Sequence, residues 1–402
     1  MRTTDNLIIG GGVIGLTIAR EIKVRSPDQS VVVLEKEIEP GRHASGRNSG
    51  VIHAGFYYAP DSLKARLTGQ GNAALRDYCA EHSIPVNDCG KLVVTRTHEE
   101  STVLRELYER GVANGVHLEM VNDRETRAIE PRARTIDQAI FSPDTAVVDP
   151  LRVMASLADE CVRRGVELAT GERFVAARAR STTMVATTSR RSLECRRLVN
   201  AAGLYADRIA HGLGVGQRYR VQPFKGLYLY AEPSFGALRT HVYPVPDLRN
   251  PFLGVHFTIG VDGRVKIGPT ATPALWREQY GWRDGFSVGE FAGTTVGLVR
   301  LLSARHSTLR RSASKEAFKY VRRFLVAQAA EIVDDVRPED FHQRGRPGIR
   351  AQLVDVETQT LVSDFIIATE GRSLHVLNAV SPGFTSSLPF ASMVVDELDS
   401  MG

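Results

Sequence analysis

The chain has 402 residues, 43% of them hydrophobic and 24% charged, with a formal net charge of +5. This length suits two domains, or one large domain with an insertion, whose core needs no covalent staple. So small and dispersed a charge argues against a nucleic-acid partner while suiting acidic small molecules. Cys79, Cys89, Cys161 and Cys195 form no C-x-x-C pair and no metal-ligand spacing, so a reducing compartment and no metal site are expected. No apolar run approaches the roughly 18 residues of a membrane span. The N-terminus leads directly into a strand without a signal-peptide pattern, and a cytoplasmic location is the expectation.

Leu7-Ile8-Ile9 reads as a short apolar strand followed by Gly10-Gly11-Gly12-Val13-Ile14-Gly15, a G-x-G-x-x-G run that opens a helix over Leu16–Ile22. Gly10 permits the tight turn, Gly12 lets a pyrophosphate approach the backbone, and Gly15 lets helix and strand pack closely. The helix N-terminus offers unpaired N–H groups and a positive dipole end to phosphate. A second strand, Ser30–Glu35, ends in an acid 20 residues beyond Gly15, where a carboxylate accepts hydrogen bonds from ribose hydroxyls. Glycines alone are weak evidence; strand, turn, helix, strand and terminal Glu35 in register predict a dinucleotide-binding βαβ unit.

The segment after Glu35 separates FAD from NAD. Arg42, His43, Ser45, Gly46, Asn48, Ser49 and Gly50 form a polar loop of little bulk, leading into Val51-Ile52-His53-Ala54-Gly55. Such a loop suits a phosphate and a flat ring system, whereas an NAD enzyme usually proceeds into a plain βα unit. Further along, Lys91–Thr95, Val221–Tyr230, Phe252–Ile259 and Val265–Ile267 read as strands of an antiparallel sheet on the substrate side. Leu151–Arg164 reads as an amphipathic helix with Leu151, Met154, Leu157, Ala158 and Cys161 on one face, Asp149 as N-cap and Pro150 at its first position. Residues 305–323 carry seven basic residues interleaved with apolar ones. A solvated basic surface helix is the favoured reading there, and peripheral contact with an anionic membrane the competing one.

The stretch from His43 through Tyr58 resembles His-x-x-Gly-Arg-Asn-Ser-Gly-Val-Ile-His-x-Gly-x-Tyr-Tyr of the L-2-hydroxyglutarate dehydrogenase/oxidase family, within the D-amino-acid-oxidase-like flavoproteins. Val199–Asp207, Phe252–Thr258, Ile267–Pro269, Gly348–Gln352 and His375–Ala379 are similar to further segments of that family, so the resemblance spans essentially the whole chain. It implies an α/β fold: a Rossmann-like FAD-binding domain assembled discontinuously from 1–85, 145–218 and 338–402. An α+β substrate domain built on an antiparallel sheet would take 86–144 and 219–337.

It also implies FAD-dependent oxidation of a 2-hydroxy acid, L-2-hydroxyglutarate first, with an amine or amino-acid oxidase as the alternative. The base would be a histidine, His53 or His256, since imidazole titrates near neutrality. Tyr57, Lys225, Tyr228 and Arg350 would bind substrate. Beyond the loop, FAD contacts are expected at Ala202, Gly203, Gly348, Gly383, Thr385 and Ser386, with a helix starting near Ser386. Noncovalent FAD is expected, attachment through His43 being the minor alternative. The electron acceptor stays open among oxygen, quinone and an electron-transfer flavoprotein. Lys225, Leu227 and Thr270 depart from the family's usual Arg, Glu and Asn and leave the substrate's identity open.

Overall fold

The computed structural model describes residues 2–247, 254–304 and 321–401. The predicted βαβ unit forms its centre: strand Arg2–Ile9, helix Val13–Arg25 and strand Val31–Glu35, with the two strands paired in parallel. Val31 to Leu34 are all buried, as expected of a strand covered on both faces. Around this unit an eight-stranded sheet takes in Glu167–Thr170, Phe174–Ala179, Met184–Thr188 and Ser192–Asn200, and, from the far end of the chain, Ile366–Glu370 and Ser373–Asn378. Helices Val13–Arg25, Pro150–Arg163 and Ser387–Ser400 cover one face, burying Leu16, Ile18, Leu157 and Val394 against Ile8 and Val33. Each such side chain contributes about 1.5–3 kcal/mol to stability on burial.

The helix Pro150–Arg163 starts as expected. The Asp149 carboxylate accepts from the Leu151 amide at 2.9 Å, and proline occupies the first turn. Leu151 departs from the expected face. It is half exposed, because it lies in the first turn beyond the reach of the sheet, while Met154, Leu157, Ala158 and Cys161 are buried.

A second eight-stranded sheet runs in the order Gln343–Arg344, Leu229–Tyr230, Val265–Gly268, His256–Ile259, His241–Pro244, Lys91–Val94, Gln138–Ser142 and Glu119–Asn122. Its pairings are antiparallel except that His241–Pro244 runs parallel to Lys91–Val94. Its core gathers Leu92, Val94, Val242, Phe257, Ile267 and Phe341. The strand expected over Val221–Tyr230 is divided: Tyr219–Gly226 pairs with Gly348–Asp355 in a four-stranded sheet, while Leu229–Tyr230 joins the second large sheet. The α/β expectation with a Rossmann-like unit and antiparallel sheet therefore holds. Of the basic segment 305–323, residues 305–320 lie outside the described residues, as do Phe252 and Leu253.

Candidate active site

A cavity of about 780 Å³ is lined from both large sheets, from the phosphate-loop glycines at one end to His53, His256 and Arg350 at the other. The nucleotide end follows from backbone sterics. Gly10 has φ +111°, and a Cβ there would lie 2.5 Å from the Ala201 carbonyl oxygen; a Cβ at Gly15 would lie 1.9 Å from the Gly10 carbonyl oxygen. Gly12 lines the cavity. Glu35 lines it too, oriented by two backbone donors: the Gly11 amide reaches Oε2 and the Glu37 amide reaches Oε1, both at 2.9 Å. Ser45 Oγ accepts from the Val13 amide at 2.9 Å, bringing the polar loop over the helix N-terminus. Gly10→Ala should therefore fold poorly around the turn and purify without its yellow colour. An absorbance ratio at 450 and 280 nm equal to that of the parent would refute this.

Arg42, His43, Ser45, Asn48 and Ser49 line the cavity, but Gly46 and Gly50 do not. Those two glycines serve the loop's own packing: a Cβ at Gly46 would lie 2.4 Å from the Gly41 carbonyl oxygen, and one at Gly50 2.1 Å from that of Val148. Gly15 likewise packs helix on strand and does not face the cavity. His43 sits in a knot of charges near the ribose end. Its Nδ1 lies 2.7 Å from the Tyr280 hydroxyl and its Nε2 3.0 Å from Glu37. Lys36 bridges Glu37 and Glu278, and Glu278 also accepts from the Tyr205 hydroxyl at 2.7 Å. Burial alone would raise the Glu37 and Glu278 carboxyls; the Lys36 ammonium, with His43 at Glu37 and Tyr205 at Glu278, holds both below the usual range.

The other end is built from different elements. His53 follows strand Val51–Ile52; its amide donates to Thr385 Oγ1 at 3.2 Å, and its carbonyl accepts from Asn72 at 3.2 Å. The His53 Nδ1 is buried without a hydrogen-bond partner. Burial first, then the Lys91 ammonium, the neighbouring His256 ring and the Arg350 guanidinium, holds this imidazole well below its ordinary pKa, so it is neutral at pH 7. His256 opens strand His256–Ile259, with Nδ1 2.8 Å from the Gly254 carbonyl and its ring stacked 3.7 Å from that of Tyr243. That carbonyl accepts only from a protonated Nδ1, which leaves the lone pair of the neutral ring on Nε2.

Arg350 stands opposite Phe224 in the Tyr219–Gly226/Gly348–Asp355 ladder and lines the cavity with Tyr228. Burial pushes the Tyr228 hydroxyl up to about 12, opposed by Arg350 and by a hydrogen bond with Ser49. The Lys266 ammonium lies 5.1 Å from the Tyr228 ring and donates to the Ser49 carbonyl at 3.0 Å, fixing that corner. Ala202, Gly203, Gly348, Gly383 and Thr385 line the cavity.

Three further expectations are corrected. Lys225 does not line the cavity: strand alternation turns Phe224 and Gly226 inward, and the Lys225 ammonium donates to the Tyr280 carbonyl at 2.6 Å. Tyr57 stacks on Phe56 at 4.4 Å, with its hydroxyl buried behind the cavity wall. Ser386 stands at the N-cap position of helix Ser387–Ser400 without a side-chain capping bond and is fully buried away from the cavity, with its Oγ 3.4 Å from Thr68 Oγ1. Residues not singled out in the sequence also line it: Arg47, which stands within the loop motif and whose guanidinium covers the Tyr280 ring at 4.2 Å, Tyr243, and residues 174–177 of strand Phe174–Ala179. Tyr243 reaches the site through the pairing of His241–Pro244 with His256–Ile259, which no local pattern reveals.

A cleft that holds an extended dinucleotide at a βαβ turn and presents two imidazoles and a guanidinium at its far end defines a flavin-dependent oxidoreductase. Residues 5–397 match the family model described as FAD dependent oxidoreductase, and the chain belongs to that family, with FAD as its cofactor. It is 38% identical to an L-2-hydroxyglutarate dehydrogenase of Nematostella vectensis, covering 98% of this chain and 90% of that one. It is 35% identical to an L-2-hydroxyglutarate dehydrogenase of Salmonella houtenae, covering 99% and 93%. In fold it is similar to L-alpha-glycerophosphate oxidase from Mycoplasma pneumoniae, solved with FAD bound, at a TM-score of 0.79 and 22% identity over 99% of this chain and 95% of that one.

Proposed function

We propose that this enzyme oxidises L-2-hydroxyglutarate to 2-oxoglutarate. The names of the relatives support the substrate. The observation that carries the reading is the Arg350 guanidinium, set in the same cavity as two imidazoles and bordered by the Tyr228 and Tyr58 hydroxyls. Arg350 and Tyr228 bind a substrate carboxylate through charge-assisted hydrogen bonds. His53, neutral at pH 7, removes the hydroxyl proton, and His256, fixed in one tautomer, orients the hydroxyl through Nε2. Bound FAD supplies the acceptor for the hydride that leaves Cα. Substrate carboxylates brought near His53 offset the positive charges around it and raise its basicity at the moment of use. Both nitrogens of His43 are engaged by Tyr280 and Glu37, which supports noncovalent FAD. Flavin fluorescence that stays with acid-precipitated protein would contradict that.

Anaerobic mixing with L-2-hydroxyglutarate should bleach the flavin band near 450 nm, while D-2-hydroxyglutarate, L-lactate and amino acids leave it. Bleaching by an amino acid with release of ammonia would replace this reading with that of an amino-acid oxidase. The same reading divides the chain into an FAD-binding part at 1–85, 145–218 and 338–402 and a substrate part at 86–144 and 219–337. The two large sheets support the division, except that Gln343–Arg344 pairs with Leu229–Tyr230 on the substrate side.

We also propose peripheral docking on an anionic bilayer. Helix Val288–Ser303 exposes Val288, Phe291, Val296 and Val299, with Trp282 and Phe286 exposed just before it, and the chain continues into the basic run 305–323. Among the described residues no helix is long and apolar enough to cross a membrane. Sedimentation with phosphatidylglycerol vesicles, and not with phosphatidylcholine vesicles, is the expected result; recovery in the supernatant with both would refute the docking.

A further inference from the structure

Lys91 opens strand Lys91–Val94 in the middle of the second large sheet, paired with His241 on one side and Ser142 on the other. Its side chain is fully buried, and its ammonium nitrogen has no hydrogen-bond partner. It lies 4.9 Å from the centroids of three aromatic rings, those of Phe56, Tyr57 and Tyr243. Among the described residues no carboxylate pairs with it. Buried lysines are ordinarily paired, since isolated charge in a low-dielectric interior is costly. Ring faces offset only part of that cost, through attraction to their quadrupoles.

The cage is attached to the reacting end of the cavity. Phe56 and Tyr57 continue the segment that begins at His53, and Tyr243 stacks on His256. The titratable and charged groups that face Lys91, its cage or His53 among the described residues are Cys89 just before the strand, His241 and Tyr243 from the neighbouring strand, His53, Tyr57 and Tyr58 from the segment after strand Val51–Ile52, His256, Tyr228, and Arg350 from strand Gly348–Asp355. Cys89 Sγ lies 3.4 Å from His241 Nε2. Lys91 does not line the cavity, so it cannot touch substrate directly.

We propose that Lys91 is a positioning residue whose buried positive charge, held in the Phe56–Tyr57–Tyr243 cage, keeps the His53 imidazole unprotonated and so extends catalysis to more acidic pH. The proposal rests on His53 as the base. Lys91 heads the charges that lower the His53 pKa after burial itself, and burial lowers the Lys91 ammonium to about 7, so it is charged throughout the range in which His53 titrates. A protonated His53 would add a second positive charge within electrostatic reach of the buried Lys91 ammonium, which Coulomb repulsion opposes.

The test is the pH dependence of kcat/KM for L-2-hydroxyglutarate in the FAD-loaded enzyme. In Lys91→Met the acid limb should move upward by roughly half a unit to one unit, while the rate on the plateau changes less than about threefold. A limb at the parent's pH overturns the proposal. If Lys91→Met fails to retain flavin, Lys91→Arg takes its place. Its permanent charge should leave the limb at or below the parent's position, and an upward move would overturn the proposal. His53→Gln separates this from the underlying reading. If the parent shows an acid limb that survives in His53→Gln, the base assignment fails; if that limb vanishes there but does not move in Lys91→Met, only the role of Lys91 fails.

Discussion

Arg350→Met should raise KM for L-2-hydroxyglutarate and lower kcat/KM by about 10²-fold, the scale of the roughly 2–5 kcal/mol attached to truncating one side of a buried charge-assisted pair. The guanidinium shares the cavity with Tyr228, and no other cation in the described part of the cavity lies on the same strand to replace it. Removing it leaves a substrate carboxylate facing apolar wall and tyrosine hydroxyls. Arg350→Lys should recover only part of the loss, because an ammonium offers a point charge where the fork of the guanidinium holds two oxygens. The control is the flavin spectrum, since a variant with the parent's bound-flavin band has lost substrate affinity and not the cofactor. Parent-like KM in Arg350→Met, with flavin retained, would remove Arg350 from the substrate site.

His53→Gln should slow anaerobic reduction of the flavin by about 10²–10⁴-fold, the usual contribution of a positioned general base. Its pH dependence has a defined sign. Burial, the Lys91 and Arg350 cations and the neighbouring His256 ring lower the His53 pKa, so in the free enzyme the base stays deprotonated below the ordinary histidine value. The acid limb of kcat/KM in the parent should therefore lie below about 6.5, with activity lost as pH falls through it, and it should be missing in His53→Gln. His256→Gln should cost less and keep the limb, since that ring, held by the Gly254 carbonyl and the Tyr243 face, orients and does not accept the proton. A limb that vanishes in His256→Gln and persists in His53→Gln would exchange the two roles.

The nucleotide end was legible because its chemistry is local. Gly10, Gly12, Gly15 and Glu35 fall within 26 residues, and their tasks follow from φ and from close approach to a neighbouring backbone. The N-cap and first-turn proline of Pro150–Arg163 were legible for the same reason, since a cap needs only the residues on either side of it. The substrate end was legible in part. Resemblance pointed to His53, His256, Tyr228 and Arg350, which the fold brings to one cavity from four separate strands and loops. It also pointed to Lys225, Tyr57 and Ser386, which the fold turns elsewhere. A motif marks a stretch of chain, while the direction of each side chain depends on strand alternation and pairing.

The order of residues by itself determined the cofactor class, the turn that grips it, and the parallel pair of strands at the centre of the first sheet. Each of these depends on backbone geometry over a few tens of residues. Which side chains meet at the reacting end was decided only by tertiary structure. Lys91, Tyr243 and His256 come together through one parallel and one antiparallel pairing around His241–Pro244. The first pairing joins strands 150 residues apart, so no period or spacing along the chain encodes it; the second joins strands close in the chain but depends on their register.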